Sequence, residues 1–156
     1  MRVMGWSGEA EAKENSPRRR SGAEQAGMDL TGRVIGAAIA VHRFLGPGLL
    51  ESAYEECLAY EFEWLGIGYE RQVPLTLEYR GRRVGFAYKM DFVVARTLIV
   101  ELKSVECLHP IHDAQVLTYL RLSGLELALL LNFDAPLLKH GLRRFALSRP
   151  VPAPTR

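Results

Sequence analysis

Cysteine is scarce in this chain: only Cys57 and Cys107 occur, far apart in sequence and in no zinc or redox spacing. That scarcity suits a reducing compartment, with both thiols read as ordinary semi-buried residues. Long hydrophobic runs are missing too. No stretch approaches the roughly 18 consecutive apolar residues of a membrane span, and the N-terminus lacks the apolar segment of a signal peptide. Net charge is small, +2 with a pI near 8.6, so any attraction to nucleic acid must come from local patches rather than from the field of the whole molecule. These absences together describe a soluble, cytoplasmic protein with no membrane partner. What is present is 48% hydrophobic and 24% charged content in 156 residues, the material for one core of ordinary size.

Residues 1–27 are rich in Gly, Ala, Ser, Glu and Arg, include Pro17-Arg18-Arg19-Arg20 and show no sustained apolar period. They are expected to be a disordered extension, or alternatively a basic arm for nucleic acid. The ordered domain is expected over 28–148, with a disordered, proline-containing tail over 149–156. Met28 is a candidate translation start, because Asp29 and Thr31 follow it as helix-capping residues.

From Thr31 to Leu45, Val34, Ile35, Ala38, Ile39 and Leu45 recur at helical spacing, and Gly46-Pro47-Gly48 ends the run. Leu50, Tyr54, Leu58, Phe62 and Leu65 make the stripe of a second helix over Leu49 to Leu65; Phe62 and Trp64 read as core. The period then changes. Tyr69 to Tyr79, Val84 to Val94 and Leu98 to Lys103 read as an antiparallel three-stranded meander, with irregularities marked by Pro74 and Gly85. Pro110 opens a third helix that runs through Leu122 and is closed by Gly124. Leu125 to Phe133 suits a buried parallel strand, and Leu142 to Leu147 an added edge strand.

Side chains alternate along a strand, so Glu101 and Lys103 project on one side while Leu98, Val100 and Leu102 project on the other. A charged pair within an apolar strand is costly to desolvate and needs a partner or a function. Asp91, amid Met90, Phe92, Val93 and Val94, would lie near Glu101 across a short turn. Two close carboxylates repel, and a divalent cation removes the conflict. Hard oxygen ligands suit Mg2+ or Mn2+, and Lys103 beside them could orient a nucleophile or stabilise phosphate charge. Taken alone, Glu101-x-Lys103 reads equally as an exposed ion pair.

Two helices add to it. Glu51 precedes Tyr54 and Leu58 by three and seven residues and shares their inward side. His112, Gln115 and Tyr119 form a polar stripe expected to lie opposite Ile111, Val116, Leu117 and Leu120, although a solvated face reads the same way.

Asp91, then Glu101-Leu102-Lys103, then Gln115-Val116-Leu117-Thr118-Tyr119 resemble the PD-(D/E)XK nuclease superfamily with the RecB-type Q-x-x-x-Y element. Gly48-Leu49-Leu50-Glu51-Ser52-Ala53-Tyr54 resembles the motif of its GxxExxY family. The likeness covers roughly Met28 to Leu147, and Met90 stands where the superfamily signature has proline. It implies an α/β, restriction-endonuclease-like core: a mixed central sheet, the antiparallel meander plus a parallel strand, flanked by helices. It also implies that Glu51, Asp91, Glu101 and the Leu102 carbonyl bind the metal, that Lys103 is the catalytic lysine, and that Gln115 and Tyr119 border the site. The expected activity is hydrolysis of a phosphodiester by metal-activated water, in DNA ahead of RNA. The alternative is a catalytically silent module that binds nucleic acid or a partner protein, and a homo-oligomer is a further arrangement of the same chain.

His109 and His112 lack a third imidazole or thiol at zinc spacing. Arg80, Arg82, Arg83 and Lys89 gather around the expected hairpin, and Lys139, His140, Arg143 and Arg144 near the C-terminus. Either set could follow phosphates, and solvated surface charge is an equal reading of both.

Overall fold

A computed structural model describes residues 29–147. The expected N-terminal extension, 1–27, and tail, 149–156, lie outside the described residues, as does Met28. Helix α1, Leu30–Leu45, is capped by Asp29, whose carboxylate accepts the Gly32 N–H at 2.6 Å. Thr31 lies within the helix instead of capping it. Gly46 and Gly48 both take positive φ, which lets the chain reverse in a few residues before α2, Glu51–Trp64. That helix starts at Glu51, with Leu50 as its N-cap, two residues later than the apolar stripe suggested.

Strands β1, Tyr69–Tyr79, β2, Arg82–Val94, and β3, Leu98–Lys103, form the expected meander. Helix α3, Pro110–Ser123, crosses to β4, Leu127–Asn132, which pairs in parallel with β3. A single 3-10 turn, Leu138–His140, leads to β5, Leu142–Ala146, antiparallel to β4. The result is one mixed sheet of five strands in the order β1-β2-β3-β4-β5. Its irregularities sit close to both Pro74 and Gly85: the β1–β2 register shifts between Leu75↔Tyr88 and Leu77↔Val84, a stretch of β2 that contains Gly85, and Gln72 has φ 50°.

Alternation along β3 and β4 divides the core. Val100, Leu102, Leu129 and Leu131 pack with Val34, Ala38, Tyr54, Leu58 and Phe62 of α1 and α2 on one face. Ile99, Ala128 and Leu130 pack with Val116, Tyr119 and Leu120 of α3 on the other. Each fully buried leucine of this kind contributes about 1.5–3 kcal/mol relative to exposure. Both faces of β3 and β4 are covered, which is why those strands read as unbroken apolar runs. Trp64, expected in the core, is instead exposed, because α2 places Phe62 inward and Trp64, two residues on, lies about 200° around the helix from it. Among the described residues no helix is long and apolar enough to cross a membrane.

Candidate active site

The β2–β3 ladder runs from Val94↔Leu98 to Phe92↔Val100 and then stops. One step further, side chain replaces backbone: the Asp91 carboxylate accepts the Leu102 N–H at 2.8 Å, and the Asp91 N–H donates to Glu101 at 3.4 Å. The two acids expected near one another are therefore neighbours. The N–H and C=O of one strand residue point the same way, so the Leu102 carbonyl also faces Asp91, where the ladder has ended. Lys103 donates to Glu101 Oε1 at 3.0 Å. With Ile99 packed under α3, alternation along β3 places Glu101 and Lys103 on the α3 side of the sheet.

Glu101 is 2% exposed and Asp91 9%. Burial, followed by the adjacent Asp91 charge, pushes the Glu101 carboxyl up to about 7, although Lys103 pulls the other way. The Asp91 carboxyl is also raised by burial, against its bond from Leu102. One ammonium thus serves two buried carboxylates.

Glu51 stands at the first residue of α2, near the backbone of Ser104 just beyond β3. Burial raises its carboxyl, Lys103 opposes that, and Asp91 raises it further. The approach is built by a chain of hydrogen bonds. The buried Tyr54 hydroxyl donates to Gly46 O at 2.6 Å and accepts from Leu49 N at 3.1 Å, while Ser104 Oγ donates to Leu49 O at 2.7 Å. Tyr54, read from the sequence as a core residue, is also the staple of the loop that delivers Glu51.

Two residues at the site were not anticipated. Glu55, one helical turn after Glu51, binds the Gln72 amide at 3.1 Å through both oxygens and pairs with Arg71. Gln72 also reaches Asp91 at 3.4 Å. The i, i+4 spacing of Glu51 and Glu55 carried a signal for the first; no sequence signal marks the positive φ that turns Gln72 inward.

On α3, Gln115 donates to the Tyr119 hydroxyl at 2.7 Å. Burial and the nearby Glu101 charge raise the Tyr119 hydroxyl's pKa. Tyr119 does not lie opposite the apolar residues as expected. It is buried with Val116 and Leu120, whereas Ile111 is exposed, because the helix rests on the sheet through the 116–119–120 edge. His112 caps this helix by accepting the His109 N–H at 3.0 Å. Cys107 is exposed instead of semi-buried, with its sulfur 3.4 Å from His109 Nε2. Arg143 Nη1 donates to both carboxylate oxygens of Asp113 at 2.6 and 2.7 Å, which removes it from the free cations near the C-terminus.

Among the described residues no three His, Cys, Asp or Glu side chains close into a ready-made metal cage. A small hard cation does not need one, since it commonly binds through one or two carboxylates and completes its shell with water and phosphate oxygens. Two adjacent buried carboxylates with raised pKa values, beside a backbone carbonyl, fit such an ion by donor type and by charge. A family model for the PD-(D/E)XK nuclease superfamily matches residues 28–145. No curated protein and no solved structure matches the chain.

Proposed function

The chain belongs to the PD-(D/E)XK nuclease superfamily, and from that premise we propose that it is a Mg2+- or Mn2+-dependent nuclease that hydrolyses phosphodiester bonds, in DNA ahead of RNA. The observation that carries this reading is the pairing of Asp91 and Glu101 at the end of the β2–β3 ladder, both buried, with Lys103 bonded to Glu101. We assign the nuclease domain to 28–148 and read the chain as a GxxExxY-type, RecB-like member through Glu51, Tyr54, Gln115 and Tyr119. The two free cysteines support a cytoplasmic setting.

Asp91, Glu101 and the Leu102 carbonyl would hold the cation, with Glu51 as a further acid beside them. When bound, such an ion supplies Lewis-acid polarisation of a phosphate oxygen and eases the ionisation of water. Lys103, held by Glu101, orients the attacking oxygen and offsets the charge that develops on the phosphoryl group. Gln115 and Tyr119 border the substrate and fix the α3 wall of the site. Loop 46–49, stapled by Tyr54, sets the position of Glu51.

Calorimetric titration with manganese tests the assignment of ligands. Wild type should bind, and Asp91→Ala/Glu101→Ala should not. A folded wild type that takes up no manganese even with a DNA oligonucleotide present would favour a module that binds nucleic acid without cutting it.

A further inference from the structure

The β1–β2 hairpin is longer than the sheet it joins. Pairing of β2 with β3 ends at Phe92↔Val100, and β3 itself ends at Lys103. Pairing of β1 with β2 continues to Tyr79↔Arg82. Extending the β2–β3 register brings Lys103 level with about Lys89, so the hairpin from there to its tip reaches past the end of β3 at which the acids lie. In the β1–β2 register Asp91 lies level with Gln72 and Arg82 faces Tyr79, so the interval from the acids to the tip is seven residues of β1, about 23 Å at ~3.3 Å per residue.

The projecting part is basic. Arg80, Arg82, Arg83 and Lys89 are exposed and make no ion pair among the described residues. Glu78 is the only acid between Val73 and Met90. Tyr79 and Tyr88 are exposed between these cations, and the Arg80 guanidinium lies over the Tyr79 ring at 5.4 Å.

The tip adds an independent observation. Arg80 and Gly81 form the two-residue turn, with φ 49° and 76°. Such a turn favours Asn, Asp or Gly at its first position, and a long side chain there is strained. An arginine kept in a conformation that suits asparagine better points to work done by its charge.

We infer that this hairpin is an arm that grips the phosphate backbone of duplex DNA about 23 Å from the cutting site, with Arg80, Arg82 and Arg83 as its phosphate contacts. The inference deepens the nuclease reading and rests on it for the choice of ligand, but its test needs no catalysis. Fluorescence anisotropy of the full-length chain in EDTA would compare a duplex of about 30 base pairs with a hairpin duplex of about 5, which at ~3.4 Å per step is too short to span site and tip.

For Arg80→Asn/Arg82→Gln/Arg83→Gln, affinity for the long duplex should fall at least tenfold. The slope of log affinity against log salt should shrink by about 2–3, at ~0.9 per phosphate, and binding of the short duplex should stay at the wild-type level. Arg80→Asn alone should melt at the same temperature or higher, yet lose about 1 from the slope. A wild-type slope in the triple variant, equal losses on both duplexes, or failure of wild type to bind duplex DNA would each overturn the inference. Arm-dependent binding by a protein that never cleaves would keep the arm and reject the nuclease. Cleavage with arm-independent binding would do the reverse.

Discussion

Glu101 should make the metal-free protein less stable as pH rises. Its carboxyl moves from an ordinary 4.5 to about 7 on folding because it is buried beside Asp91, so the native state holds the proton more tightly than the unfolded chain. Stability from this group is complete below 4.5 and is lost as pH climbs through 7. The displacement corresponds to about 3 kcal/mol, or roughly 10 °C in melting temperature for a domain of this size. Asp91 and Glu51 are raised as well and act in the same direction. Thermal melts in EDTA from pH 4.5 to 8 would compare wild type with Glu101→Gln, which keeps an acceptor for Lys103 without the charge. The variant should gain on wild type by about 10 °C across that range, and millimolar manganese should recover wild type selectively at high pH by binding only the ionised acids. Parallel melting curves of the two proteins in EDTA would refute the claim that burial and Asp91 penalise an ionised Glu101.

Lys103→Ala should remain folded and lower the cleavage rate by at least about 100-fold, in line with loss of one charge-stabilising donor; single-turnover kinetics would check it. Tyr54→Phe keeps the ring stacked on Phe133 but removes both bonds to loop 46–49, at a cost of about 1–2 kcal/mol. Its effect should fall on kcat more than on KM, as expected for misplacement of Glu51. Arg143→Ala breaks a half-exposed pair and should cost less than about 1 kcal/mol by urea denaturation. Phe62→Ala, at the centre of the α1–α2 face, should cost about 3–5 kcal/mol in the same assay.

The meander, the parallel β4 and the three helices were legible because each follows a period, and their ends were legible where Asp29, Gly46, Pro110 and Gly124 provide local signals. The spacing of Glu101 and Lys103 on one face, and of Asp91 across the turn, needed only strand alternation and a hairpin. Other features depend on tertiary structure. Gln72 reaches Asp91 because its backbone turns to positive φ inside a strand, which no propensity encodes. Tyr119 was placed on a polar face because tyrosine fits either class; only the seating of α3 on the sheet buries its ring while leaving its hydroxyl to Gln115. Trp64 went wrong for the opposite reason, since its size suggested burial but its place two residues after the inward Phe62 puts it on the outer side of α2. Tyr54 was recognised as core, yet its hydroxyl's two partners in loop 46–49 appear only once that loop is folded.

The central claim is that Asp91, Glu101 and Lys103 form a phosphodiester-cleaving centre. Its most direct test is cleavage of end-labelled DNA by the purified chain with Mg2+ or Mn2+, run beside Asp91→Ala and with EDTA. Cleavage by wild type that both EDTA and Asp91→Ala abolish is the predicted result; cleavage that survives Asp91→Ala, or none by a folded wild type with either metal, would contradict it.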